Sequence, residues 1–361
     1  MRRARTLRDL AQGLELSTAT VSRALAGDEA IALVTRQRVT AAARDAGYVP
    51  NVAGRMLARG RSGFVSMVLP VRGPSLVDSF LGEFVTGLSE GLVERGNDLI
   101  LATAAEGQSE LAVLKHLVAS GRADGVVVTR IAEADERVSY LRESQVPFVA
   151  HGRLIDEDLS YPWLDTDGAL AFGRAFDMLY ELGHRHFGLL TITEPMTFRH
   201  LRQEGLIAAI AERGDPLVSL DVAEAPRFDR SARLEAISRL LGAARRPTAV
   251  LALFDELALT VMEVAMREGL SIPQDLSVIG FDNVPAAAYA PPGLTTFDAE
   301  IRKAARDIGG LLVDSIENPD APPARRLMRP RLVPRGSHGA APDQSGGRMT
   351  TNKVSQGGQT C

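Results

Sequence analysis

The chain has 361 residues, 45% of them apolar and 24% charged, a balance that excludes a disordered or collagen-like polymer and leaves room for two or three folded units. No apolar run reaches the roughly 18 residues of a membrane helix, MRRARTLRDLAQ lacks a secretory core, and the only cysteine is the terminal Cys361, so a cytoplasmic protein without a disulfide framework or cysteine zinc cluster is expected. The net charge of -4 divides unevenly: residues 1–61 carry eleven arginines against five carboxylates, a net of +6, which leaves -10 for the rest. Such asymmetry points the small part toward a polyanion, with a solvated arginine-rich surface as the alternative.

The first 50 residues hold short helical segments broken by glycine and no strand-like run. Thr6, three residues before Asp9, predicts a capping box for a helix with Leu7, Leu10 and Ala11 inward. After a turn, Ser17 caps a second short helix with Val21, Ala24 and Leu25 on its apolar side and Thr18, Ala19, Ser22 and Arg23 outward. Two short helices and a tight turn make a helix-turn-helix reader, in which the hydroxyls bond phosphates and Arg23 pairs with a guanine edge. Residues 51–62, NVAGRMLARGRS, read as a basic linker.

From Phe64 the pattern is that of strand and helix units. Strand-like runs cover 64–70, 98–104, 125–129, 146–152, 186–193, 216–222, 248–254 and 276–282, and in the intervening stretch 77–95 Phe80, Phe84, Leu88 and Leu92 share a helix face. Periodicity does not choose between one barrel and two open sheets; 161–168 reads as a crossover between halves. Residues 336–361, with six glycines and three serines, read as a disordered tail. GLSEG at 87–91 fits a nucleophile elbow, but Ser89 falls inside a predicted helix; Asp165 with Asp167, and His184 with His186, lack a third ligand. Neither an enzyme nor a metal site nor a cofactor is expected.

Three ordered blocks, TLRDLAQGLELSTATVSRAL, TRQRVTAAARDAGYVPN and GRMLARGRS, resemble the headpiece and hinge of the LacI-type transcriptional regulators, and the body from SGFVSMVLP through DLSVIGFDNVP to PGLTT resembles their effector domain. The resemblance implies an all-α helix-turn-helix DNA-binding headpiece (1–50), a hinge helix and linker (51–62) and an α/β body of two Rossmann-like subdomains (63–335), similar to periplasmic binding proteins. It places the N-subdomain at about 63–165 and 294–321 and the C-subdomain at about 166–293 and 322–335, with three crossovers and a ligand cleft between them. Thr6, Ser17, Thr20 and Ser22 match phosphate-contacting positions, Thr18 and Ala19 the pair that sets operator preference, and Arg23 the base-reading arginine. Asn51 opens the hinge helix, Arg55 lies in it among the DNA contacts, and Leu57 matches the leucine wedged into a central minor-groove step. Three positions depart from the pattern: Glu15 stands at the turn glycine, Ala32 at the serine cap of the third helix and Gly54 at a hinge alanine, each worth about 1 kcal/mol.

In the body the resemblance makes Arg202 and Asp282 a donor and acceptor for effector hydroxyls or carboxylates, and puts Asp78 and Phe80 on the opposite wall with Asp165 near the crossover. Phe254 replaces a common polar residue. Trp163 sits beside Asp165 as a stacking surface for a sugar or a core residue, and His151 and Arg153 end a strand that points into the cleft. The expected protein is a homodimeric repressor on a pseudo-palindromic operator, controlled by a small molecule, with a sugar favoured and a purine or nucleoside corepressor as the alternative; a solute-binding protein is the rival from another class. Sequence leaves open whether the ligand releases DNA or secures it.

Overall fold

A computed structural model describes residues 6–25, 27–48, 61–71, 78–105, 107–155 and 159–342. Two compact units divide the chain, the first running to Phe64 and including Gly121–Asp124, the second holding the remainder.

In the first unit, helix α1 (Leu7–Leu14) begins at the predicted capping box: Thr6 accepts from the Asp9 N–H, and the Asp9 carboxylate accepts from the Thr6 N–H, both at 3.1 Å. Glu15 terminates it in the left-handed conformation at φ 56°, the geometry that makes glycine the easier residue there. Helix α2 (Thr18–Leu25) is capped by Ser17, whose hydroxyl accepts from the Thr20 N–H at 3.0 Å. Helix α3 (Leu33–Asp45) starts at Ala32 without a side-chain cap, as the sequence implies. Leu10, Ala11, Leu14, Val21, Ala24, Val39 and Ala43 close a small core among the three helices.

The second unit is a two-lobed α/β body. Its strands are β1 (Phe64–Pro70, whose first residue belongs to the other unit), β2 (Asp98–Ala104), β3 (Gly125–Thr129), β4 (Phe148–His151), β5 (Trp163–Thr166), β6 (His186–Ile192), β7 (Ser219–Ala225), β8 (Ala249–Ala252), β9 (Ser277–Ile279), β10 (Thr296–Asp298), β11 (Arg325–Met328) and β12 (Arg331–Val333). The N-lobe sheet runs β11-β5-β4-β3-β1-β2 and the C-lobe sheet β7-β6-β8-β9, which settles two open sheets over a barrel. Continuous apolar runs suit strands buried on both faces: Val65, Met67 and Leu69 join one core, and Val68, Val126 and Val128 the other.

Helices α4 (Ser79–Val93) and α12 (Ile301–Glu317) pack on one face of the N-lobe. Their backbones approach so closely that a Cβ at Gly87 or Gly91 would overlap the carbonyl of Arg302 or Arg306. The GLSEG string is therefore a helix-packing motif. Arg302 with Glu90 and Arg95 with Asp314, the latter at 2.7 Å, flank that seam.

Three features differ from the sequence expectations. Strand β11 lies within 322–335, assigned above to the C-subdomain, but pairs in parallel with β5 at the edge of the N-lobe sheet. Its sequence RRLM is mostly exposed, so it offers no apolar run to read. The strand expected at 216–222 is β7, displaced toward the C-terminus and half-exposed at a sheet edge. Residues 336–342 are not a disordered tail. Ser337 is fully buried, donating to the Val278 carbonyl at 2.6 Å and accepting from the Thr295 N–H at 2.8 Å, while Gly336 presses on Pro292 and the Gly339 N–H meets Ser277. Composition alone misreads this segment because its glycine and serine serve close packing and buried hydrogen bonds.

Candidate functional site

Helix α2 leaves Thr18, Ala19 and Arg23 exposed, with Thr20 and Ser22 half-buried and Ser17 exposed at its cap. Thr6 and Ser17 each spend a hydroxyl lone pair on a helix start, and Ser17 shares a hydrogen bond with Thr20 at 2.8 Å. The Arg23 guanidinium pairs with Asp28 at 2.7 Å in a solvent-exposed bridge, an interaction weak enough to be exchanged for another acceptor. Asn51, Arg55 and Leu57, with Gly54, lie outside the described residues.

The second candidate site lies between the lobes of the body, at the carboxyl ends of both sheets, where α/β folds bind ligands. It is a cavity of about 70 Å3 whose walls include Phe80, Arg130, His151, Asp165, Arg202, Arg227, Phe254 and Asp282. Six of the nine residues expected there therefore line it: Phe80, His151, Asp165, Arg202, Phe254 and Asp282. Asp78 stands just behind the wall, capping α4 through the Leu81 N–H at 2.9 Å and pairing with Arg130 and, at 3.1 Å, with Arg227 from the opposite lobe. Arg153 and Trp163 do not line the cavity. Arg153 bonds Asp165 at 3.2 Å and lies over the Trp163 ring, and Trp163 belongs to the core cluster that holds Val126 and Val128, so its position suits packing rather than stacking on a ligand.

Arg202 is the centre of the site. It rises from α8 (Thr197–Arg213) through the space left at Gly168, where a Cβ would meet its Cγ at 2.7 Å. Its guanidinium carbon sits 3.7 Å from the Phe281 ring centroid, Nη1 donates to the Leu253 carbonyl, and Nη2 approaches Asp282 at 3.9 Å. Nε is buried with no hydrogen-bond partner among the described residues. A buried donor without an acceptor is costly, and it is satisfied most simply by an oxygen-bearing ligand. Asp282 holds the unusual φ of 109° and its N–H donates to Phe297 in the crossover strand β10 at 2.9 Å. Non-glycine residues in such conformations concentrate at binding sites.

Burial dominates the electrostatics. It pushes the Asp282 carboxyl up to about 6 against the pull of Arg202 and Arg227, and raises Asp165 likewise. Asp255, the first residue of α10 (Asp255–Arg267), rises to about 7 through burial and the neighbouring Asp282. Burial, then Arg202 and Arg130, pushes His151 down to about 4, so its imidazole is neutral near pH 7 and packs against both Phe80 and Phe84, which stack on each other. Burial also opposes the charge on Asp78, but Arg130, the Leu81 N–H and Arg227 together hold it below the ordinary value.

Sequence reasoning passed over Arg130 and Arg227. Arg130 directly follows β3 and Arg227 lies two residues beyond the end of β7, both near the strand-end position that identified His151. Arg130 takes φ 54°, and its backbone carbonyl accepts from Arg137 at 3.0 Å. Phe198 and Phe281, which flank Arg202, carry no distinguishing sequence signal.

A model of bacterial regulatory proteins of the lacI family matches residues 6–51, and one of a periplasmic binding protein-like domain matches 176–338. The HTH-type transcriptional regulator AglR of Rhizobium meliloti (strain 1021) is 36% identical over 344 residues, 94% of this chain and 96% of that protein. The chain belongs to the LacI family. The HTH-type transcriptional repressor CytR of Escherichia coli (strain K12) is 30% identical over 339 residues, 94% and 98% of the two chains. Among solved structures, a transcriptional regulator CelR-cellobiose complex superposes with a TM-score of 0.68 at 26% identity, covering 92% of this chain and 100% of that one. As a LacI-family member with a formed headpiece, the protein is a DNA-binding transcriptional regulator. Among the described residues no cluster of metal ligands occurs, and no helix is long and apolar enough to cross a membrane.

Proposed function

We propose that this LacI-family regulator is a dimeric repressor of a pseudo-palindromic operator, controlled by a carbohydrate in the interlobe cleft. The observation that carries the effector class is the Arg202 and Asp282 pair: a buried guanidinium with a spare N–H, beside a carboxylate, among Phe80, Phe198 and Phe254. Vicinal hydroxyls both donate and accept, so they suit a donor facing an acceptor, and the C–H face of a sugar suits the rings. The cellobiose complex of a structural relative supports the same choice.

At the headpiece, Thr6, Ser17, Thr20 and Ser22 contact phosphates, Thr18 and Ala19 set operator preference, and Arg23 reads a base edge after leaving Asp28. Asn51, Arg55 and Leu57 continue the contact into the minor groove, where Leu57 wedges a base step. Footprinting upstream of the protein's own gene, with and without sugars and nucleosides, tests the assignment. Protection of an inverted repeat that a sugar modulates is expected; protection modulated only by nucleosides would overturn the effector class, and no protected site would overturn the operator.

A further inference from the structure

The segment Gly121–Asp124 belongs to the first unit, although it leads directly into β3 of the body. Asp124 explains this. Its carboxylate accepts from the Ser62 N–H at 2.6 Å and from the Gly63 N–H at 2.7 Å, and its own N–H donates to the Phe64 carbonyl at 2.7 Å. The Phe64 N–H donates in turn to the Ser62 hydroxyl at 3.1 Å, so the N–H groups of Ser62, Gly63 and Phe64 all have acceptors. Gly63 takes φ 75°, while a Cβ added there would meet nothing within 4 Å. Glycine is needed for the left-handed backbone, which turns two successive N–H groups toward one carboxylate. Hydrogen bonds to an anion are about twice as strong as neutral ones, so Asp124 is a firm hold on the last residues of the linker.

Strand β3 begins at the next residue, Gly125, which pairs with Val65 of β1. It is buried along its whole length between β1 and β4. At its other end Thr129 and Arg130 line the cavity, and Arg130 pairs with Asp78, which holds Arg227 of the opposite lobe at 3.1 Å. Asp124 and Thr129 are thus about 17 Å apart at the rise of a strand. A strand packed on both faces at interior density passes a displacement along its length instead of absorbing it. The linker also continues covalently into β1, but through Gly63, whose backbone freedom would leave a pivot there. The Asp124 carboxylate removes that pivot and ties the linker to the strand that ends at Arg130.

We propose that Asp124 is the positioning residue that couples the interlobe cleft to the linker: it fixes Ser62 and Gly63 to the amino end of β3, and a change in lobe closure at Arg130 reaches them through that strand. This role rests on the reading of the cleft as a control site and adds the residue that passes its state outward. Hydrogen exchange of the full chain, resolved to the Ser62 and Gly63 amides by mass spectrometry with fragmentation, tests it. Neither a sugar nor an operator is needed, so failure here leaves the effector and operator assignments standing. Asp124→Ala speeds exchange of both amides at least about tenfold, and Asp124→Asn, which keeps one acceptor oxygen, speeds it by less. A staple with no part in coupling would do the same, so the distinguishing variant is Asp78→Asn at the cleft. It changes exchange at Ser62 and Gly63 by at least about threefold when Asp124 is present, and by less than about 1.5-fold when Asp124 is alanine. Equal effects of Asp78→Asn with and without Asp124, or no effect on the chain that retains Asp124, overturn the coupling. Unchanged exchange in Asp124→Ala overturns the anchor. The Asp78→Asn comparison on the chain that retains Asp124 stands even if Asp124→Ala misfolds.

Discussion

At the scale of single residues, the cleft concentrates groups whose burial would be penalised without a task. Arg202→Ala leaves the Leu253 carbonyl without its donor and Asp282 without its nearest cation, so effector binding should weaken by about 2–5 kcal/mol while operator binding persists. Paired titrations of ligand and operator check both halves. Asp255 supplies a pH signature. Its carboxyl, raised from 3.8 to about 7, retains a proton in the folded protein that the unfolded chain releases near 3.8. The folded state therefore binds more protons across that interval, and stability falls as pH rises from about 4 to about 7. Asp255→Asn keeps an amide oxygen for the Val284 N–H and lets the Thr296 hydroxyl turn to accept, and it should flatten the change in melting temperature between pH 5 and 8. A slope unchanged in the variant would refute the assignment.

At the scale of elements, the tightest constraint is the seam between α4 and α12. Gly91→Ala drives a Cβ into the Arg306 carbonyl, and relieving it requires two helices to separate; a loss of about 1–3 kcal/mol, read as a lower midpoint in urea, is expected. The half-buried position Gly310, where an added Cβ would meet nothing within 4 Å, provides the control: alanine there should be neutral or stabilising. This seam also marks how far sequence reading reaches. The stripe Phe80, Phe84, Leu88 and Leu92 and the strand runs are legible because burial on a helix face or in a parallel sheet leaves periodic apolar residues. RRLM of β11 is not, since an edge strand with exposed side chains has no such pattern, nor is Ser337, whose burial depends on Val278 and Thr295 far away in sequence. In the site, Arg202 and Asp282 follow from motif context, whereas Arg130 and Arg227 acquire their place only when two lobes bring the ends of β3 and β7 together. Trp163 shows the converse: it shares a strand face with Asp165, two residues on, but lies further from the carboxyl end of β5, so it enters the core while Asp165 reaches the cavity.

At the scale of the body, the two lobes are clasped by backbone and by charge. Ala132 bridges Met196, the Thr197 N–H donates to the Ile131 carbonyl at 3.0 Å, and Asp78 holds Arg227 across the cleft at 3.1 Å. The backbone contacts are insensitive to side chains; of the side-chain contacts between the lobes, which include the Thr197 hydroxyl on the Ile131 carbonyl and His200 beside Glu133, Asp78 is the one that faces two arginines and so a point where closure can be loosened. Asp78→Asn preserves an oxygen to cap α4 but removes the charge that both Arg130 and Arg227 face. A less populated closed form lowers apparent ligand affinity by the fraction lost, and effector binding should weaken by roughly tenfold. Coupling between sites is reciprocal, so the consequence for DNA has a defined sign without knowing whether the ligand releases or secures it. If the effector favours the closed body, the variant must shift the affinity of the ligand-free protein for operator in the direction opposite to the shift the effector produces. Operator titrations of the variant and the unaltered protein, each with and without ligand, measure both shifts. Displacement in the same direction would show that closure of this cleft is not the motion that the operator senses.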